Sequence, residues 1–199
     1  MHPPAKEAAI DWLRTLLAKG SQPLQRDHLR RRSVPAQTPV LHLIALDISG
    51  SMCQGGRLAL AKGYAARLIE QAVRKGEEVA LLSFGGNGVE LLLLPGPARA
   101  AAIARVRPVG GGGGTPLAQC LAEADRLLRS AMLRRGATTG GHTCLWLLSD
   151  GRTLEQPVAP SAARNIVVVD FDDPVRAIGR CAAWAAQWCA EYRRPHFSL

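Results

Sequence analysis

Apolar residues in this chain form two kinds of pattern: short continuous runs, and longer stretches with a period of three to four residues. Continuous runs that are bounded by turn-forming residues predict strands buried on both faces of a parallel sheet. Such runs lie at residues 42–46, 78–84, 143–149 and 166–169. A further run at 89–94 follows the glycine-rich turn after 78–84, so these two runs predict an antiparallel hairpin.

Stretches with helical period separate these runs. The periodic positions predict helices over residues 5–19, 58–72, 117–128 and about 175–191, with a short helix over 98–106. Gly20 and Gly76 stand where the first two helices should end. Strands that alternate with helices predict an α/β fold. We expect a Rossmann-like, doubly wound and mostly parallel sheet with one antiparallel strand and helices on both faces.

The length of 199 residues is enough for one well-buried domain and little more. We assign this domain to residues 40–199. Residues 1–39 are interpreted as an N-terminal helix and a basic connector. The arginine-rich stretch at 25–32 is either a solvated approach to the domain or a docking surface.

Polar side chains follow the first buried run directly, at the strand end where open α/β sheets gather their ligand sites. Asp47, Ser49 and Ser51 alternate along the chain, so their side chains leave an extended backbone on the same side. Gly50 permits a tight turn between the two serines. These hard oxygen donors carry little charge, and such a set suits Mg²⁺ better than softer metals.

Five glycines at 110–114 precede Thr115 and Pro116. They do not match a phosphate-binding loop, because no Gly-Lys-Ser/Thr ending follows and no buried strand comes immediately before them. They are either a flexible linker or a loop whose backbone passes close to a metal ion. Thr115 either caps the next helix, with Pro116 at its first position, or offers its hydroxyl to the metal.

Three motifs in this order resemble the metal-ion-dependent adhesion site of von Willebrand factor A domains. They are Asp-x-Ser-x-Ser at 47–51, Thr115 after the glycine loop, and Asp150 after the run at 143–149. The resemblance implies that Ser49, Ser51 and Thr115 bind Mg²⁺ directly, with Mn²⁺ as an alternative ion. It also implies that Asp47 and Asp150 reach the metal through water, and that an Asp or Glu of a partner protein completes the site.

Further stretches resemble the C-terminal domain of the D subunit of magnesium chelatase. They are Arg30-Arg31-Arg32, Ser49-Gly50-Ser51-Met52 with Lys62-Gly63, residues 79–86, residues 112–118, and Val167-Val168-Val169-Asp170. Related domains occur in the T subunit of cobaltochelatase and in proteins paired with MoxR-type AAA+ ATPases. The families imply a platform on which an AAA+ ATPase and a large chelatase subunit meet while magnesium or cobalt enters a tetrapyrrole, on the route to chlorophyll or cobalamin.

An alternative is an interaction module for a MoxR-like ATPase outside tetrapyrrole metabolism. The 199 residues include neither the AAA+-like domain nor the acidic, proline-rich linker of a full D subunit, and they have no Walker A lysine. We therefore expect a partner to supply ATP hydrolysis, whether this chain is a free-standing subunit or a fragment.

Enzymatic interpretations of the same residues fit less well. A dehalogenase-type phosphatase needs a second acid where Ser49 stands, a nucleophile elbow needs Gly-x-Ser-x-Gly, and a receiver domain needs paired acids on the preceding loop. We therefore assign no catalytic residue and expect no enzymatic activity from the chain by itself. The acidic turn at 170–173 is either solvated or a second cation site.

Charge and cysteine content add expectations about partners and location. The net charge is +9, but aromatic residues do not interleave with the basic cluster, so we expect an acidic partner or a solvated basic surface and no nucleic acid. Five cysteines without a Cys-x-x-Cys pair predict free thiols, with Cys120 in the core. No apolar run approaches the roughly 20 residues of a membrane span, and the N-terminus does not resemble a secretory signal. These features predict a cytoplasmic location.

Overall fold

The computed structural model describes residues 10–30, 39–86, 88–135, 142–175 and 178–195. The chain divides into two compact units, Met1–Gln37 and Thr38–Leu199. Within the described ranges, every helix is too short or too polar to cross a lipid bilayer.

The described residues of the first unit form the helix α1 (Trp12–Lys19) and a 3₁₀ turn at Arg26–His28. The Asp11 carboxylate accepts the backbone N–H of Arg14 at 3.2 Å, and this N-cap fixes the start of α1. The helix predicted over 5–19 therefore begins at Trp12, and its first part, residues 5–9, lies outside the described residues. Gly20 ends the helix as predicted, with a φ of 56°.

The second unit is built on one six-stranded sheet in the order β3-β2-β1-β4-β5-β6. The strands are β1 (Leu41–Asp47), β2 (Glu78–Gly85), β3 (Gly88–Pro97), β4 (Thr143–Ser149), β5 (Asn165–Asp170) and β6 (Glu191–Arg193). Strand β1 pairs in parallel with both β2 and β4, whereas β2 and β3 form the antiparallel pair. The predicted fold class is confirmed.

Helices cover both faces of this sheet. They are α2 (Arg57–Lys75), α3 (Ile103–Val106), α4 (Leu117–Arg134) and α5 (Arg180–Gln187). Alternate residues of β1 enter two separate apolar cores: Leu43 packs with α4 and α5, and Ile44 packs with α2 and α3. Because both faces of β1 are covered, its sequence is a continuous apolar run without polar alternation.

The cysteines are free thiols, and Cys120 lies fully buried among the α4 contacts as expected. Burial raises the pKa of the Cys120 thiol well above its ordinary value. Cys120 is therefore part of the packing and has none of the thiolate character that reactivity requires.

The last predicted helix is wrong in its bounds. It was expected over about 175–191, but α5 ends at Gln187 and the segment Glu191–Arg193 joins the sheet as β6. Cys189 adopts a φ of 52° in the turn between them, a left-handed conformation that cannot continue a helix. Strand pairing with β5 at the sheet edge decides the structure here over the local helical period.

Candidate metal centre

Parallel pairing of β1 with β4 brings the two predicted acidic residues to one edge of the sheet. Leu46 is in register with Leu148, so Asp47 at the end of β1 lies beside Ser149 at the end of β4. Asp150 follows Ser149 at the same edge of the sheet. The Ser49–Ser51 turn follows β1 at this same edge. This is the carboxyl edge, where the sequence predicts the site.

Hydrogen bonds connect four of the five predicted site residues. The Asp47 Oδ1 accepts the backbone N–H of Ser49 at 2.8 Å. The hydroxyls of Ser49 and Ser51 lie 3.2 Å apart, and the Ser51 hydroxyl donates to Asp150 Oδ1 at 3.0 Å. The Asp-x-Ser-x-Ser turn therefore meets the acid of the β4 loop, and four oxygen-bearing side chains converge there.

Asp47 is a fully buried carboxylate. Its Oδ2 accepts the Ser149 hydroxyl at 2.6 Å, and no ion pair of Asp47 occurs within the described ranges. Burial raises the pKa of Asp47 to about 6 despite its hydrogen bonds to Ser149 and Ser49. A nearby cation would stabilise the charged form, so the environment of Asp47 suits a metal centre.

The glycine loop lies against the Asp-x-Ser-x-Ser turn through backbone hydrogen bonds. Gly112 N–H donates to Ile48 O at 2.8 Å, and Gly50 N–H donates to Gly113 O at 3.0 Å. A Cβ at Gly111 would lie 2.7 Å from the Ile48 carbonyl oxygen and 2.5 Å from the Cys53 Sγ. The loop is therefore closely packed against the first turn, and it is not a free linker.

Thr115 does not cap α4. The helix begins at Leu117, and Pro116 occupies the N-cap position with a ψ of 64°. This N-cap makes no side-chain hydrogen bond to the first turn. The capping interpretation of Thr115 is therefore wrong. Glu155 Oε2 accepts the N–H of Ala118 at 2.6 Å instead, so a carboxylate from a distant loop satisfies this helix end.

Thr115 itself is half-buried at the end of the glycine loop. Its carbonyl accepts the Leu117 N–H at 2.8 Å. The described residues offer its hydroxyl no hydrogen bond to the four connected side chains. Among the described residues, the structure thus brings together four of the five predicted residues, and the Thr115 hydroxyl is not bonded to them.

Asp150 has partners that sequence reasoning missed. Its Oδ2 lies 2.9 Å from Arg57 Nη1 and 3.9 Å from Arg152 Nε, and its side chain is fully buried. Ser149 was also missed, although its position immediately before Asp150 is a usable signal. No local pattern points to Arg57, because it reaches Asp150 across 93 residues of sequence.

The acidic turn after β5 is solvated only in part, because Asp173 is exposed whereas the other two acids are buried. Asp170 and Asp172 are 3% and 6% exposed. Asp170 Oδ2 accepts the Tyr192 hydroxyl at 2.7 Å, and Asp172 Oδ1 accepts Arg152 Nη2 at 2.9 Å. These contacts already satisfy the two buried carboxylates.

The donor atoms of the connected side chains at this candidate centre are all oxygens. The described residues contain no group of three or more His, Cys, Asp or Glu placed to hold a metal. The converging donors are two hydroxyls and two carboxylates, which exclude a thiolate or imidazole site here. Hydroxyl and carboxylate oxygens fit Mg²⁺, which takes oxygen ligands and retains several waters.

Comparison with known proteins identifies the family. The family model of the von Willebrand factor type A domain matches residues 42–152. This chain belongs to that family. The matched segment begins in β1 and ends just beyond Asp150, so it contains every predicted site residue.

The chain is 38% identical to the magnesium-chelatase 60 kDa subunit of Cereibacter sphaeroides over 110 residues. This alignment covers 55% of the chain and 19% of the relative. The chain is also 30% identical to an uncharacterized protein of Mycobacterium tuberculosis over 87% of this chain and 30% of that protein. The chain thus spans less than a third of the length of these curated relatives.

A minor pilin of Streptococcus sanguinis shares the fold, with a TM-score of 0.59 and 12% identity over 83% of this chain and 59% of that one. At this identity the likeness concerns the fold alone.

The packing of the glycine loop predicts different costs for two adjacent substitutions. Gly111→Ala places a methyl group against the Ile48 carbonyl and should lower the free energy of unfolding by about 1–3 kcal/mol, the usual range for overpacking. Gly110→Ala meets no atom within 4 Å and should stay within about 0.5 kcal/mol of the wild type. Urea unfolding measures both, and equal stabilities would contradict the close approach of the loop.

Proposed function

We propose that this von Willebrand A chain is a noncatalytic, Mg²⁺-binding component of a metal-chelatase-type assembly, where it acts as a platform for protein–protein interaction. The observation that carries the proposal is the hydrogen-bonded convergence of Asp47, Ser49, Ser51 and Asp150 at the sheet edge. Similarity to a magnesium-chelatase subunit supports the choice of assembly.

The chain's residues have separate tasks in this proposal. Ser49, Ser51 and Thr115 supply hydroxyl ligands, whereas Asp47 and Asp150 orient metal-bound waters and supply negative charge. Two features support the indirect role of Asp47: each of its oxygens already accepts a hydrogen bond, from Ser49 N–H and from the Ser149 hydroxyl. The Mg²⁺ ion, held by mostly neutral direct ligands, would supply an electron-poor position for the Asp or Glu of a partner.

A catalytic role finds little support at this edge. A serine nucleophile needs an adjacent base such as histidine. His42 lies near the opposite end of β1, where its ring bonds Glu77 and Trp146. The Ser51 hydroxyl donates to Asp150, and that carboxylate is already ion-paired with Arg57.

The partners in the proposal are an AAA+ ATPase subunit and a large chelatase subunit. The tetrapyrrole that receives magnesium or cobalt would be bound by that large subunit, in chlorophyll or cobalamin biosynthesis. A reducing cytoplasm agrees with five free thiols, two of them exposed at Cys53 and Cys189. This platform role assigns the interaction to residues 40–199.

A second candidate is an interaction module for a MoxR-like AAA+ ATPase outside tetrapyrrole metabolism. The family model that matches this chain describes von Willebrand factor type A domains in general, which is compatible with this candidate. Affinity purification from native lysate with Mg²⁺ and with EDTA separates the two. Recovery of a large chelatase subunit supports the first candidate, whereas recovery of an AAA+ ATPase alone supports the second.

The first prediction from the proposed function concerns the charge of Asp47. Asp47→Asn keeps the shape of the side chain and removes a desolvated charge, so the thermal midpoint of the metal-free protein should not fall. Metal-dependent recovery of the partner should be lost, because the site loses a negative charge next to the cation. Glu70→Gln, which neutralises an exposed acid on α2, is the control and should bind as the wild type does. Normal Mg²⁺-dependent binding by Asp47→Asn would refute the metal role of Asp47.

A second prediction concerns the Thr115 hydroxyl. Because it caps no helix, Thr115→Ala should change the free energy of unfolding by no more than about 0.5 kcal/mol. Mn²⁺ affinity, measured by calorimetry, should fall about tenfold, since a water must replace a preorganised donor. Thr115→Ser keeps the oxygen and should bind like the wild type. Unchanged affinity in Thr115→Ala would remove this residue from the ligand set.

A third prediction is that the purified chain hydrolyses neither ATP nor simple phosphate esters in the presence of Mg²⁺. The sequence has no Walker A lysine, and the site lacks a free nucleophile–base pair. Phosphate release should match that of the Asp47→Asn variant. Turnover by the wild type that disappears in Asp47→Asn would instead indicate a catalytic centre.

A further inference from the structure

Arg57 joins the candidate metal centre to the acidic turn after β5 through a single nitrogen. Its Nη1 lies 2.9 Å from Asp150 Oδ2 and 3.5 Å from Asp172 Oδ1. Its Nε donates to Gln54 O at 3.2 Å, which anchors the guanidinium near the start of α2. The side chain is 14% exposed, so solvent screens these contacts only in part.

The position of Arg57 in its helix needs an electrostatic explanation. Arg57 is the first residue of α2, where the helix dipole disfavours a positive charge. Two buried carboxylates, Asp150 and Asp172, offset this cost because both lie within ion-pair distance. The arginine therefore acts as the counter-charge of the acids.

Asp150 depends on this counter-charge in the metal-free chain. Its Oδ1 accepts two hydrogen bonds, from Ser51 Oγ and from Arg152 N, and its Oδ2 is bonded to Arg57. The guanidinium of Arg152 is farther away, at 3.9 Å, and bonds mainly to Asp172. Arg57 is thus the principal cation on a fully buried carboxylate.

We propose that Arg57 is a tethered competitor of the divalent cation for Asp150, and that it sets the metal affinity of the centre. This inference rests on the proposed metal function. A guanidinium and a divalent cation cannot both draw full stabilisation from one carboxylate, because they repel each other at short range in a partly buried site. Arg57 already lies 3.5 Å from Asp172, so it retains an anionic partner when a divalent cation replaces it beside Asp150.

The test is the affinity of the purified chain for Mn²⁺, measured by calorimetry, with Arg57→Gln as the variant. Without Arg57, the more distant Arg152 is the cation that remains beside the buried Asp150 among the described residues, and a divalent cation relieves the resulting penalty on binding. Mn²⁺ affinity should rise about tenfold, or 1.4 kcal/mol. The thermal midpoint should be lower than that of the wild type without metal and should rise more when Mn²⁺ is added.

Two further variants separate charge competition from other effects. Arg57→Lys keeps the positive charge and should bind Mn²⁺ within about threefold of the wild type. Arg194→Gln removes the same charge from the same acidic region, since Arg194 lies 3.7 Å from Asp170, and it leaves Asp150 untouched. It should also stay within threefold. A tenfold gain in either variant would overturn the proposal.

The outcomes for Arg57→Gln distinguish this inference from the proposed function. If the wild type binds Mn²⁺ and Arg57→Gln binds it equally or more weakly, the inference fails and the metal function stands. If only Arg57→Gln binds Mn²⁺, the competition is upheld in its strongest form. Absence of binding in both proteins overturns the inference together with the metal function.

Discussion

Parallel pairing of β1 with β4 is the constraint on which the candidate metal centre depends. In-register pairing of Leu46 with Leu148 sets Asp47 beside Ser149 and brings Asp150 to the same edge of the sheet. The two apolar cores hold this pairing in place, because β1 contributes alternate side chains to each of them. The core beneath therefore supports the polar edge, and backbone hydrogen bonds to the glycine loop hold its serine turn in place.

Most of the fold was predictable because it follows from patterns within single elements. The run at 43–46 is apolar at every position, as expected of a strand covered on both faces. The alternation of Asp47, Ser49 and Ser51 likewise predicts that their side chains lie on the same side of the backbone. The structure bears out that geometry, whereas the metal assigned to it rests on the resemblance and on the proposal.

The errors share a physical cause, which is that the deciding contact is distant in sequence. Thr115 looked like an N-cap, but Glu155 from another loop bonds the first turn of α4. The last helix was predicted too long because Glu191–Arg193 pairs with β5, and no local period encodes that pairing. Burial of Asp170 and Asp172 could not be foreseen either, since their arginine and tyrosine partners lie in other elements. Local periodicity thus predicts the helices and strands, whereas contacts between residues distant in sequence determine where these elements end and which polar side chains are buried there.

The central claim is that the oxygens at this edge hold a divalent cation. Crystals of the chain grown with Mn²⁺ test it most directly, through the anomalous scattering of the bound ion. One strong anomalous peak should appear at about 2.1 Å from the hydroxyls of Ser49 and Ser51, the distance expected for a small octahedral cation. An edge without such a peak at saturating Mn²⁺, with the Arg57–Asp150 contact unchanged, would contradict the account.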